Sequence, residues 1–293
     1  MTLKVGTRGS NLAKIQAMTV VNILREAGLD AEPVIISTKG DRVQHLPIHK
    51  VGKNGVFVGE LEGALREGAV DVAVHSLKDM PSKIAKGFTL APPPAAPADM
   101  DVFVGKKSHF KENDLANMVV ATGSNRRVAQ LKHFYPDIKI VPIRGNVETR
   151  IHKVESGLAD GTLLAYAGLS RAGLTHKVTA TLDPTRFIPS PSQGLLGIEL
   201  AEDRLDLLKV FSQASDPGAA FRMKVERAFQ RELNASCASP IGIHIEERGN
   251  EIRLHGCFAK TGEDPLIYAT VTTTTEKAMD DVFELARKVK SND

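Results

Sequence analysis

The chain has 293 residues, 42% hydrophobic and 25% charged, a balance that excludes a disordered chain, a collagen-like repeat and a coiled coil. Its 38 lysines and arginines stand against 35 acids, a formal charge of +3, too even for a nucleic-acid or membrane-surface protein defined by bulk charge. Trp is absent and Tyr numbers 3, which argues against aromatic platforms for stacking bases.

In chain order, residues 3–7 read as a short strand. Residues 10–27 read as a helix, with Ser10 as N-cap, Leu12, Ile15, Met18 and Val21 at helical spacing and Gly28 as the stop. Residues 33–37 read as a second strand, Phe57, Leu61, Ala64 and Leu65 as a second helical stripe, and residues 70–75 as a buried strand. Strands alternating with helices imply a mostly parallel sheet with helices on its faces. The run 90–100 contains Pro92, Pro93, Pro94 and Pro97 and reads as a hinge between domains. Beyond it, strands are expected at 119–122, 139–142 and 162–166 with helices between them, and a second break at 183–194. The pattern then changes. A helix over 217–233 is followed by alternating strands at 241–246, 251–260 and 266–274, and by a closing helix that includes Met279, Val282, Phe283 and Ala286. The expected architecture is two α/β domains and a smaller C-terminal α+β domain.

Two cysteines, Cys237 and Cys257, are too few for a disulfide framework or a four-cysteine zinc site, and the nine histidines form no ligand spacing, so no metal is assigned. The N-terminal residues lack the apolar core of a signal peptide, and no apolar stretch reaches membrane length, so the expected address is the cytoplasm.

Arginines recur where strands run into helices: Arg8 in TRGS, Arg126 and Arg127 in ATGSNRR, Arg144 and Arg150 in IRGNVETR. Each place couples guanidinium groups with helix N-terminal N–H groups, an arrangement for carboxylates or phosphates. Any one of them alone reads as a surface arginine; their recurrence at the strand ends favours anion binding. HSLKDMP, residues 75–81, puts Lys78 and Asp79 at the same kind of edge, either as a cation and acid for chemistry or as a solvated turn. Cys237 lies in the small-residue loop NASCASPIG, whereas Cys257 in IRLHGCFA fits a buried, inert thiol. A non-catalytic binder of small anions would have no use for both Asp79 and the Cys237 loop. A cysteine-nucleophile enzyme would want a base, and His244 lies close in sequence but on an expected strand.

Taken in order, TRGSNLAKIQA, KVGKNGVFVGELE, VDVAVHSLKDMP, ATGSNRR, IRGNVETR, LAYAGLSRAGL, SPSQGLLGIE and ERAFQRELNASCASPIG resemble the hydroxymethylbilane synthase, or porphobilinogen deaminase, family over nearly the whole chain. The resemblance implies a cytoplasmic, monomeric transferase of tetrapyrrole (porphyrin) biosynthesis. Such an enzyme joins four porphobilinogen molecules head to tail into 1-hydroxymethylbilane and releases ammonia at each step, with no nucleic-acid or membrane partner. It implies two periplasmic-binding-protein-like α/β domains plus a third, with domain 1 over 1–95 completed by about 194–212, domain 2 over 100–188 and domain 3 over 217–293. It implies a covalent dipyrromethane cofactor on a thioether to Cys237. Asp79 and Lys78 match the catalytic motif. Ser124, Arg126, Arg127, Arg144, Arg150 and Lys78 match cofactor contacts. Arg8, Ser10, Arg144, Arg150, Arg171, Gln193 and Phe57 match substrate contacts, and Lys53 stands one place before the family's usual Lys, whose own position holds Asn54. Substrate and cofactor carry many carboxylates, and a guanidinium-lined site answers them. The chain departs from the family's usual residues at Asn11, Asn54, Pro191 and Ser192. The polar segment 42–55, with Gly52 and Gly55, reads as a lid.

Overall fold

A computed structural model describes residues 2–37, 58–106, 112–235, 239–262 and 264–290. Phe57, Lys53, Asn54, Cys237 and the expected lid over 42–55 lie outside the described residues. The chain divides into two compact units, Met1–Pro97 with Gly194–Met223, and Ala98–Gln193 with Lys224–Asp293.

In the first unit, β1 (Leu3–Thr7) feeds α1 (Asn11–Glu26). Ser10 has extended backbone angles and its Oγ accepts from the Ala13 N–H at 3.3 Å, which satisfies one orphan donor of the first turn. Gly28, at φ 81°, ends the helix in a left-handed turn. Ala17, Val20, Val21 and Leu24 recur at helical spacing and are fully buried. They face β3 (Val72–Ser76), β1 and the return strand β10 (Leu196–Ala201), with Phe211 of α6 (Leu205–Gln213) closing the same cluster. Burying one such aromatic or aliphatic side chain is worth roughly 1.5–3 kcal/mol. The sheet order is β2-β1-β3-β10-β4, with β2 at Ala31–Ile35 and β4 at Phe88–Ala91. β1 runs parallel to β2 and β3, and β10 runs antiparallel to β3 and β4. Both edge strands carry or adjoin prolines, Pro33 in β2 and Pro92 after β4, as a donor-less residue requires. Helix α2 (Gly59–Arg66) packs Leu61, Ala64 and Leu65 against Val70, Ala73 and Phe88.

The second unit repeats the plan. Its sheet runs β7-β6-β8-β5-β9. The strands are β5 (Asp101–Gly105), β6 (Val119–Ala121), β7 (Lys139–Val141), β8 (Gly161–Ala165) and β9 (Ala180–Thr181). β6 is parallel to β7 and β8, and β5 is antiparallel to β8 and β9. The helices are α3 (Asn125–Phe134), α4 (Val147–Glu155) and the short α5 (Tyr166–Arg171). Helix α7 (Pro217–Glu232) leads on to an antiparallel meander of β11 (Ile241–Arg248), β12 (Glu251–Phe258) and β13 (Ile267–Thr273). Helix α8 (Ala278–Lys290) covers the meander, and Leu285 sits so close to Gly256 that a Cβ there would lie 2.9 Å from it.

The α/β class with a small antiparallel C-terminal sheet is as expected. Several details differ. β4 takes Leu90 and Ala91 from the run read as a hinge, and β9 was not expected. β5 opens directly after the proline run and went unread because its apolar stretch is short. β2 starts two residues early, since Pro33 is harmless on an edge. Phe283 is 37% exposed and does not share the buried face of α8, which consists of Ala278, Val282, Leu285, Ala286 and Val289.

Candidate active site

In the first unit, β1 and β3 are parallel neighbours, so the segments that leave their carboxyl ends emerge on one edge. Arg8 and the capping Ser10 follow β1. A single 3-10 turn, Leu77–Asp79, follows β3. Leu77 and Met80 are buried and anchor that turn, Lys78 is half-buried, and Asp79 is exposed. The Leu77 N–H donates to the Leu195 carbonyl at 3.1 Å, and the Met80 N–H to the Leu77 carbonyl at 3.1 Å. Gly197 on β10 lies beneath the turn, where a Cβ would approach Met80 Sδ to 2.8 Å. The Gln16 amide of α1 donates to Ser76 Oγ at 3.0 Å. The acid is thus mounted on a rigid turn. Behind it, His75 Nε2 lies 3.0 Å from Glu199 Oε2, with side chains 4% and 0% exposed. Burial, and then the Glu199 charge, raise the nearby Glu62 carboxyl above its ordinary value, against the pull of His75 and Arg66.

In the second unit, β6 leads through Thr122, Gly123 and Ser124 into α3. Ser124 Oγ caps the helix by accepting from the Arg127 N–H at 3.4 Å. β7 leads into Arg144, Gly145 and Asn146. Gly145 has φ 122°, and Asn146 Oδ1 caps α4 by accepting from the Thr149 N–H at 2.8 Å. Arg150 Nε donates to the Gly145 carbonyl at 2.8 Å, and Lys153 Nζ to the Arg144 carbonyl at 3.0 Å, so this turn is held from both sides. Arg144 and Arg150 are half-buried. Arg171 ends α5, and burial lowers its pKa to about 10, which leaves it cationic at neutral pH.

Arg126, Arg127 and Gln193 are placed differently from what a ligand-facing role alone would give. They are 5%, 5% and 1% exposed, and they converge on Asp101, which is fully buried. Arg126 Nη2 donates to Asp101 Oδ2 at 2.8 Å; Arg127 donates to both carboxylate oxygens, at 2.8 and 3.1 Å. Gln193 Nε2 donates to Asp101 Oδ1 at 2.8 Å and to the Asp99 carbonyl at 2.6 Å. Arg126 Nη1 also reaches the Ile188 carbonyl and Arg127 Nη1 the Leu163 carbonyl, each at 2.7 Å. Burial pushes the Asp101 carboxyl up, but Arg126, Arg127 and their hydrogen bonds pull it far below the usual carboxylate range.

Cys237 itself is outside the described residues, but both flanks of its loop are fixed. The Ala235 N–H donates to the Gln230 carbonyl at 3.2 Å, and Asn234 takes a left-handed φ of 48°. Beyond the loop, the Ala259 N–H donates to the Pro240 carbonyl at 2.9 Å and the Ile243 N–H to the Pro189 carbonyl at 3.0 Å. Cys257 is fully buried on β12, and burial raises its thiol to about 12. His244 Nδ1 lies 2.9 Å from Asp99 Oδ2, paired rather than poised as a base for a thiol.

Two family models match the chain: "Porphobilinogen deaminase, dipyromethane cofactor binding domain" over residues 3–209, and "Porphobilinogen deaminase, C-terminal domain" over residues 220–291. A porphobilinogen deaminase of Syntrophus aciditrophicus is 35% identical over 98% of this chain and 94% of its own. One from Clostridium novyi is 36% identical over 99% and 98%, and one from Mycolicibacterium gilvum 38% over 94% and 91%. The chain belongs to the porphobilinogen deaminase family. Porphobilinogen deaminases are transferases, and the first of the two matching models is that of the family's dipyrromethane-binding domain. Among solved structures, the periplasmic VFT2 domain of BvgS from Bordetella pertussis aligns with 76% of this chain and 92% of its own at a TM-score of 0.45 and 16% identity.

The donor set fits a group rich in carboxylates. Two buried guanidiniums share one carboxylate, and Arg171 is a partly desolvated cation. The sequence reading missed Asp101 and the His75–Glu199 pair. The signal was present in both cases: an acid inside an apolar run, MDVFV or LLGIELA, cannot be buried without a partner.

Proposed function

We propose that this chain carries out the hydroxymethylbilane synthase reaction, joining four porphobilinogen molecules head to tail into 1-hydroxymethylbilane with loss of ammonia at each step. The observation that carries the reading is membership of the deaminase family along nearly the whole chain. The rigid turn that presents Lys78 and Asp79 beside the Arg8–Ser10 segment supports it.

Asp79 is the catalytic group. When the C–N bond of a porphobilinogen aminomethyl group breaks, the electron pair leaves with the amine and the pyrrole keeps a delocalised positive charge. A fixed carboxylate favours that cation over the neutral ground state, which lowers the barrier. The same carboxylate can hold the proton that the leaving amine requires, or the one shed when the new C–C bond forms. Lys78, Arg8, Ser10, Arg144, Arg150 and Arg171, with Lys53, bind and orient substrate acetate and propionate groups, and Phe57 and Gln193 are further lining positions for the substrate. Ser124, Arg126 and Arg127, with Lys78, Arg144 and Arg150, hold the cofactor. The dipyrromethane, once attached to Cys237, supplies the pyrrole terminus on which the product is built. The chain forms three domains, 1–95 with 194–212, 100–188 and 217–293, and works as a cytoplasmic monomer without nucleic-acid or membrane partners.

Intact mass and peptide mapping of the purified protein test this. The expected adduct equals two porphobilinogen units less two ammonias, on the peptide that contains Cys237. Cys257 is an unsuitable nucleophile, since a buried thiol raised to about 12 is scarcely ionised at neutral pH. Active protein without the adduct, or an adduct on Cys257, overturns the reading.

A further inference from the structure

We propose that Asp101 is the positioning residue for the cofactor arginines: it fixes both guanidinium planes, cancels one of their two charges, and leaves the other for a single ligand carboxylate. This rests on the assignment of Arg126 and Arg127 to the cofactor and deepens it.

The geometry is closed on the protein side. Asp101 Oδ1 accepts from Arg127 Nη2 and Gln193 Nε2, and Oδ2 accepts from Arg126 Nη2 and Arg127 Nε. Two donors on each oxygen saturate a carboxylate, so Asp101 has no capacity for a ligand. Its work is done on the arginines. Arg127 is gripped side-on through Nε and Nη2 and steadied at Nη1 by the Leu163 carbonyl. Arg126 is held at Nη2 by Asp101 and at Nη1 by the Ile188 carbonyl. Ile188 adjoins Pro189, whose carbonyl anchors Ile243 just beyond the cysteine loop. The hub therefore ties β5, the start of α3 and the strand that follows Cys237 into one block.

The charge is not closed. Two guanidiniums less one carboxylate leave +1, and Asp101 is the only carboxylate in ion-pair contact with either arginine among the described residues. A buried cation without a counter-ion is costly. A group that brings one carboxylate to this place completes the balance, and a neutral group does not.

The test is covalent cofactor content, read by intact mass after the purified variant is incubated with porphobilinogen. Asp101→Ala should lose on the order of 10–100-fold in the rate of adduct formation, as removal of an orienting partner does at other preorganised sites. Acetate should restore much of it by occupying the vacated carboxylate position, whereas acetamide, of the same shape but neutral, should not. A role in packing alone would respond to both or to neither. The charge-balanced double variant Asp101→Asn/Arg127→Gln keeps the net +1, and should fold yet assemble the adduct poorly. Wild-type adduct formation in either variant overturns the proposal, as does equal rescue by acetamide. Failure of both variants to fold also counts against it, because a group needed to aim arginines is dispensable in a balanced background. Wild-type protein that never carries an adduct defeats the functional reading instead, so the two failures are distinct.

Discussion

The two five-stranded sheets place a buried acid on the same strand of the same plan and treat it in opposite ways. Glu199 lies on β10 and Asp101 on β5, each the fourth strand in its sheet and antiparallel to both neighbours. Glu199 meets a histidine from the adjacent strand, and its Oε1 has no hydrogen-bond partner among the described residues. Asp101 meets two arginines and a glutamine from outside the sheet and is saturated. An imidazole partner carries a charge only when protonated, whereas a guanidinium partner is a permanent cation with a fork of donors. The first unit thus exposes the acid of its 3-10 turn, Asp79, whereas the second buries Asp101 among guanidiniums.

The largest expected effect is on the saturated side. Arg127→Met keeps an unbranched apolar stem but removes three donors, two of them from a buried carboxylate. It should destabilise the protein by about 3–5 kcal/mol, read from the urea midpoint. The pH dependence has a definite sign. The Asp101 carboxyl is depressed in the folded state, so its contribution is present above the unfolded value of about 3.9 and is lost as pH falls toward the folded one. Wild type should lose this term only on strong acidification, and Arg127→Met at higher pH. Matching acid-unfolding curves would show that Arg127 does not hold Asp101.

Next is Asp79→Asn, the corresponding change on the exposed turn of the first unit. Loss of a preorganised charge costs roughly 2.7–4 kcal/mol in the barrier, or about a hundred- to a thousand-fold in single turnover of cofactor-loaded protein. Stability should hardly change, because Asp79 is exposed. A single-turnover rate within a few-fold of wild type removes Asp79 from the mechanism. Smaller again is Glu199→Gln. It leaves His75 an acceptor and offers a donor at the unpartnered oxygen, so its cost should be about 1–2 kcal/mol, below that of Arg127→Met. A cost equal to that of Arg127→Met would erase the contrast between the sheets.

How much of this was legible depends on whether local pattern or distant pairing decides the feature. The cap at Ser10 and the stop at Gly28 follow from residues within one helix, whereas of the expected stripe Leu12, Ile15, Met18 and Val21 only Val21 is fully buried, because the core-facing side is set by the sheet beneath it. The strand-to-helix arginines could be read because the chemistry sits beside the turn that presents it. Asp101 could be identified as an acid in an apolar run, but its partners lie 25, 26 and 92 residues away, and no periodicity links them. The placement of β10 between β3 and β4 is likewise non-local, and only the family resemblance anticipated the chain's return.

The smallest effect concerns the segment that carries Gln193. Ser192 holds a left-handed φ of 62°, is 1% exposed, and its Oγ has no hydrogen-bond partner among the described residues. Its N–H donates to Glu226 Oε2 at 2.5 Å, so the backbone is pinned in that conformation. A Cβ in the left-handed region costs about 1–2 kcal/mol, and an unmade buried hydroxyl bond about 1–3 kcal/mol. Glycine removes both but gives back about 0.5–1 kcal/mol through the entropy of the unfolded chain. Ser192→Gly should therefore stabilise the protein by about 1 kcal/mol or more, visible as a raised thermal midpoint. Ser192→Ala separates the two terms, since it removes the hydroxyl and keeps the Cβ, and should recover only part of the gain. Asn234, at φ 48°, is the control: Asn tolerates the left-handed region, so Asn234→Gly should change stability by only a few tenths of a kcal/mol. If Ser192→Gly destabilises instead, the serine hydroxyl has a partner that outweighs both terms, and the strain argument fails at this position.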